Sequence, residues 1–256
     1  MPFRPLAAAP EADVEVPAPV AEYAAGHGVG PDRVLPVWRN ELGGLTFRLG
    51  LPSGGAEFAK WSPAAAGLDL RAEAERLAWA ADFTPVPRPL HTARHDDGSH
   101  LLVTAGVPGE SAVSPRWIAQ PEQAARAIGT GLRALHDALP VDGCPFDWSL
   151  GSRLARAGDA ALGRALAAEA PRIDRLVVCQ GDACAPNTLI GEDGAWSAHV
   201  DLGALGVADF WADLAIAAWS TVWNYGAGFE HLVYDAYGVA PDAERIAFYR
   251  AVWDAT

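Results

Sequence analysis

The chain has 256 residues, half of them hydrophobic and 20% charged, a globular composition sufficient for one large domain or two small lobes. Its formal charge of −13 argues against nucleic acid and anionic membrane as partners and suits a cationic ligand. No apolar run nears the roughly 20 residues that span a bilayer, "MPFRPLAAAPEADVEVPAPV" lacks a signal-peptide layout, and Cys144, Cys179 and Cys184 form no disulfide framework, so a cytoplasmic protein is expected, with Cys179 and Cys184 as small buried thiols.

Residues 1–30, rich in Pro, Ala and Gly, read as an arm with one or two helical turns in "PVAEYAAGHG". "RVLPVWRNELGGLTFRLG" predicts a hairpin around Gly43-Gly44, and "AEFAKWS" a third strand. "LDLRAEAERLAWAADF" reads as a helix with Leu70, Leu77 and Ala81 on one face, stopped by Pro85 and Pro87. Two more strands follow, joined at Asp96-Asp97-Gly98. Residues 31–105 are therefore expected to form a small antiparallel β lobe with one helix.

Composition then turns helical, and residues 106–256 are expected to form a second, larger lobe. Ile128, Leu132, Leu135 and Leu139 recur at helical spacing. "GSRLARAGDAALGRALAAEA" reads as helical, short strands flank "GDACAPN" and "VDLG", and "DFWADLAIAAWSTVWNYG" and "DAERIAFYRAVWDA" are further helices.

Four pieces carry chemistry. Lys60 stands in an apolar strand 16 residues after the Gly43-Gly44 turn, Glu73 lies on the next helix, Asp182 precedes Asn187 by five residues, and Asp201 follows 14 later. Each alone is an ordinary turn, edge-strand or solvated-helix residue. Together and in this order they are the residue types of phosphoryl transfer. A glycine turn lets backbone amides approach phosphates, a Lys held by a helix Glu contacts them, one Asp orients the acceptor hydroxyl, and an Asn and a second Asp hold Mg²⁺. Asp201-Leu202-Gly203 stands where D-F-G would.

"VVCQGDACAPNTLI...VDLGALGVADFWADLAIA" closely resembles the aminoglycoside phosphotransferases, as do "LRALHDALPVDGCPFDWSL", "EAERLAWAA" and "RIAFYR". The likeness runs from about residue 35 to the C-terminus and is strongest for the branch acting on sugar hydroxyls of kanamycin-like or streptomycin-like antibiotics. It implies a bilobal protein-kinase-like α+β fold: a small N-terminal antiparallel β lobe with one helix and a larger, mainly helical C-terminal lobe. It makes Asp182 the catalytic residue, Asn187 and Asp201 the Mg²⁺ ligands, and Lys60 and Glu73 the phosphate-positioning pair for ATP or GTP. Gly43, Gly44 and Thr46 then belong to the nucleotide loop, Ala105 and Gly106 to the backbone hinge against adenine. Asp213 becomes the brace of the catalytic loop, and Asp254 and the Thr256 carboxylate face a cationic aminoglycoside. Asp147 and Trp148 are read as fixing the start of the second lobe.

Three features depart from the family pattern, and a fourth lies in the tail. Gln180 replaces the usual His, Ala204 replaces an Arg common after "VDLG", and only 28 residues separate Leu150 from Cys179, where many members carry a longer acidic insertion; in the tail, Trp253 also stands where another acid is common. The second reading is the same chemistry on another small hydroxylated metabolite. The third is a nucleotide-binding protein without catalysis, against which Lys60, Asp182, Asn187 and Asp201 argue.

Overall fold

Alternating burial along the strands builds the first unit of the chain. The computed structural model describes residues 14–256, and contacts divide the chain into Met1–Ala81 with Pro87–Val107, and Asp82–Val86 with Pro108–Thr256. The first 13 residues of the expected arm lie outside the described residues; its remainder forms α1 (Ala18–Gly26). Then come β1 (Val34–Arg39), β2 (Leu45–Gly50), β3 (Ala56–Ser62), α2 (Leu70–Ala80), β4 (Pro89–Arg94) and β5 (His100–Ala105). The sheet runs in the order β1-β2-β3-β5-β4, with every neighbouring pair antiparallel. β2 buries Leu45, Phe47 and Leu49 on one face, as a two-residue period requires, and Val20 and Ala24 of α1 pack into the same core.

The side chain of Asp69 caps α2 by accepting from the Arg71 amide. Leu70 and Leu77 are buried as expected, but Ala81 lies just past the helix end and is half-buried; Ala80 takes the buried position.

The second unit contains β6 (Glu110–Ser111), α3 (Pro115–Ile118), α4 (Pro121–Ala138), α5 (Leu150–Leu154), α6 (Ala160–Ala168), β7 (Leu176–Cys179), β8 (Thr188–Ile190), β9 (Trp196–His199), β10 (Gly206–Asp209), α7 (Trp211–Tyr225), α8 (Glu230–Tyr237) and α9 (Ala243–Ala255). Strands pair as β10-β7 and β6-β8-β9. Ile128, Leu132, Leu135 and Leu139 are all buried; filling each such site contributes about 1.5–3 kcal/mol relative to exposure. Gly129 lets α4 approach α8 where the Val233 carbonyl leaves no room for a Cβ.

The alanine-rich stretch after Leu150 is two helices, because Asp159 caps a new start by accepting from the Ala161 and Leu162 amides. α8 was not anticipated. Eight residues between two glycine-containing turns give little periodicity, yet Leu232, Val233, Tyr234 and Tyr237 are buried. Among the described residues no helix is long and apolar enough to cross a membrane.

Candidate active site

In the first unit, strand alternation buries Ala59 and turns Lys60 to the opposite face, where its cross-strand neighbours are Thr46 on β2 and Leu102 on β5. Lys60 Nζ donates to Glu73 Oε2 at 2.8 Å. The Glu73 side chain is only 8% exposed and that of Lys60 21%. A carboxylate withdrawn this far from water needs a cationic partner, so helix and strand fix each other's charged group.

The Gly43-Gly44 turn is present, with Gly43 at φ 82°. Its amides face inward. Asn40 Oδ1 accepts from the Leu42 and Gly44 amides at 3.1 and 2.7 Å, and the Asn40 carbonyl accepts from Gly43 at 3.2 Å. At the expected hinge, the Ala105 amide donates to Arg88 O and the Gly106 amide to Ala56 O, each at 2.9 Å. A Cβ on residue 106 would stand 2.6 Å from that Ala56 oxygen, so the position requires glycine. In this conformation the amides of both segments are satisfied within the unit.

In the second unit, β7 delivers the chain into Gln180-Gly181-Asp182. Gly181 sits at φ 89° with the Ala204 carbonyl where a Cβ would be, so no other residue fits. Asp213 on α7, 1% exposed, accepts from the Gln180 amide through Oδ2 at 2.5 Å and from the Gly181 amide through Oδ1 at 2.9 Å. Beyond the turn, Asn187 Nδ2 donates to Asp182 O at 2.8 Å and Oδ2 at 3.1 Å, and Ser220 Oγ accepts from the Ala185 amide at 2.8 Å. Asp182 and Asn187 are thus brought together.

Asp201 has φ 60°, the left-handed region that non-glycine residues rarely adopt. Gln180 holds it there: Nε2 donates to Val200 O at 3.0 Å and Asp201 O at 3.1 Å, while Oε1 accepts from the Asp182 amide at 2.6 Å. One neutral side chain ties the Asp182 turn to both peptides flanking Asp201.

Asn187 and Asp201 offer oxygen donors, which suit a hard cation such as Mg²⁺. The Asn187 amide nitrogen donates to Asp182, so Oδ1 is the atom it could offer a cation. Other groups fit a metal poorly. His136, Cys179 and Asp213 lie close enough to share an ion, but Asp213 already accepts from the Gln180 and Gly181 amides and the Cys179 thiol, pushed up by burial, donates to Asp209 O at 3.5 Å. Burial, followed by the neighbouring Asp182 carboxylate, likewise keeps the Cys184 thiol protonated. His199 is pushed down to about 3, chiefly by burial.

At the chain's end, Asp254 is exposed on the last turn of α9. Thr256 is turned back toward the protein: its Oγ1 donates to Val252 O at 2.8 Å and accepts from Arg153 Nη2 at 3.2 Å. Asp147 accepts from the Ser149 amide at 2.8 Å and from the Ser152 hydroxyl, and Trp148 lies under the guanidinium of Arg153.

Residues 39–249 match the model of the "Phosphotransferase enzyme family". A streptomycin 3''-kinase from Streptomyces griseus is 34% identical over 91% of this chain and 95% of its own length. The chain belongs to the aminoglycoside phosphotransferase family. An aminoglycoside 3'-phosphotransferase from Streptomyces fradiae is 33% identical over 76% of the chain and 82% of its length. The solved aminoglycoside phosphotransferase APH(3'')-Id from Streptomyces rimosus, in complex with ADP and streptomycin, superposes with a TM-score of 0.69 at 26% identity, covering 94% of this chain and 99% of that one. The fold is accordingly the protein-kinase-like α+β fold of this family.

Within this phosphotransferase, sequence reasoning passed over several supporting residues. Asn40 was hidden in a turn and Ser220 in an apolar helix. His136 had a signal, since it falls on the buried stripe of α4 four residues after Leu132.

Proposed function

We propose that the protein transfers the γ-phosphate of ATP to a hydroxyl of an aminoglycoside, in the manner of a streptomycin- or kanamycin-modifying kinase. The carrying observation is the Asp182–Asn187 loop, held by Asp213 and tied by Gln180 to Asp201. Asp182 accepts the acceptor hydroxyl's proton as the oxygen attacks phosphorus. Lys60, held by Glu73, positions phosphate oxygens. Mg²⁺, held by Asn187 and Asp201, would supply charge neutralisation on the phosphates. Gly43, Gly44 and Thr46 border the nucleotide, with the turn amides released from Asn40 on binding, and Ala105 and Gly106 offer backbone to adenine. GTP is the alternative donor. Asp254 and Thr256 at the end of α9 would meet the polycation, and the protein would work in the cytoplasm without nucleic-acid or membrane partners.

The competing acceptor is a smaller neutral hydroxyl compound, favoured by the short α5–α6 segment and by Trp253 in place of an acid. A thermal-shift screen with ATP, Mg²⁺, streptomycin and kanamycin, followed by ADP-release kinetics, decides. Stabilisation and ADP release dependent on an aminoglycoside support the proposal. Nucleotide stabilisation without response to any aminoglycoside sinks it and favours the competitor.

A further inference from the structure

The carboxylate of Asp213 takes a third donor besides the two loop amides. His136 Nε2 lies 3.0 Å from Oδ2, and on the other side of the ring His136 Nδ1 lies 2.8 Å from the Tyr237 hydroxyl. Arg175 Nη2 donates to that hydroxyl at 2.7 Å. His136 and Asp213 side chains are 0% and 1% exposed and Tyr237 is buried, whereas the Arg175 side chain is 42% exposed and also faces Asp137 at 3.6 Å. A line of hydrogen bonds therefore runs from the surface to the Asp182 turn.

Its direction follows from donor counting. A guanidinium has no acceptor, so the Tyr237 oxygen receives from Arg175, which leaves its single proton available for His136 Nδ1. Burial raises the phenol's pKa, so that proton stays in place. Nδ1 is then the acceptor, and Nε2–H donates to Asp213. The opposite tautomer would set the Nε2 lone pair against a buried carboxylate 3.0 Å away. A doubly protonated ring would leave the Tyr237 proton without this acceptor.

We propose that Arg175 and Tyr237 act as positioning residues: they fix His136 in its Nε2–H tautomer, which keeps Asp213 aimed at the Gln180 and Gly181 amides and so holds Asp182 in place. This rests on the reading of Asp182 given above. The partners fit such a role, because Tyr237 stacks on Phe210 at 5.5 Å and Tyr237→Phe removes only the hydroxyl from a packed ring.

The test uses the full chain labelled with ¹⁵N. Long-range ¹H–¹⁵N correlation at neutral pH should show His136 as the neutral Nε2–H form. Tyr237→Phe should produce an Nδ1–H population and speed amide exchange at Gln180 and Gly181. It should lower kcat with ATP and streptomycin by roughly twofold to tenfold, the scale of one neutral hydrogen bond, at unchanged KM for ATP. His136→Phe should lower kcat further, and His136→Gln, which restores an N–H donor, should recover part of it. An Nδ1–H or imidazolium His136 in the native protein overturns the proposal. So does a Tyr237→Phe variant that loses thermal stability while the tautomer, loop exchange and kcat stay native. Full turnover by Asp182→Asn with His136 still Nε2–H would sink the site reading and leave the tautomer assignment standing.

Discussion

The two units hold their functional groups by opposite means. In the first, an ion pair between β3 and α2 joins Lys60 to Glu73, and Asn40 gathers the amides of the glycine turn. In the second, Asp182 sits at the meeting point of Asp213, Gln180 and Asn187, most of them buried and mutually bonded. A phosphate-handling group can be held more loosely, because its ligand supplies part of its environment on binding. A proton-accepting carboxylate must be placed before the substrate arrives, since misplacement by even an ångström is costly in rate. The contrast predicts large, coupled losses in the second unit and separable, smaller ones in the first.

The largest effect is expected for Asp182→Asn. The amide preserves the loop's shape but cannot take the hydroxyl proton, so kcat should fall by about 10²–10⁴-fold with ATP affinity by calorimetry nearly native. A fall below about tenfold would reduce Asp182 to an orienting role.

Asp213→Ala comes next and should show in stability as well as rate. It strands the Gln180 and Gly181 amides and the His136 donor, each a buried group whose unmet bond costs about 1–3 kcal/mol. Chemical denaturation should register a loss of about 2–5 kcal/mol, allowing for relaxation. A variant as stable as the native protein would show that the loop is not braced from α7.

Lys60→Ala is the corresponding cut in the first unit. Lys60 is partly exposed, but its removal strands the nearly buried Glu73 carboxylate, so the loss should cost about 1–3 kcal/mol of stability. The rise in KM for ATP should be about tenfold or more, the scale of a charge-assisted hydrogen bond. If destabilisation outruns the kinetic change, the pair is a structural strut.

The difference between the units also explains what could be read from the chain. Lys60, Glu73, Asp182, Asn187 and Asp201 were legible because phosphoryl transfer demands those side chains at those spacings, and the strand and helix around Lys60 follow from local alternation and a cap. The bracing was less legible. Gln180 in place of His gave no hint that one amide would bind both peptides around Asp201, because those contacts join segments 20 residues apart. His136, Tyr237 and Arg175 meet only through packing of α4, α8 and the segment before β7. α8 escaped because its burial is tertiary, and the inward amides at Asn40 because a turn sequence does not say which way its N–H groups point.

The smallest effect is expected at the end of α9, where the structure also changes which experiment is informative. Truncating Asp254, Ala255 and Thr256 would remove an acceptor from Arg153, a guanidinium only 1% exposed whose pKa is lowered chiefly by burial. A lesion in the second unit's core would then be confused with lost substrate contacts. Asp254→Asn is cleaner, since Asp254 is exposed and the change removes charge alone. If Asp254 meets an ammonium group of the acceptor, a solvent-exposed pair of this kind is worth about 0.2–1 kcal/mol. KM for streptomycin should therefore rise by up to about fivefold while KM for ATP stays fixed. The rise should fade as salt is raised, because screening weakens exposed pairs. An acceptor KM that ignores both the substitution and the salt would remove Asp254 from the acceptor site and strengthen the case for a neutral hydroxyl substrate.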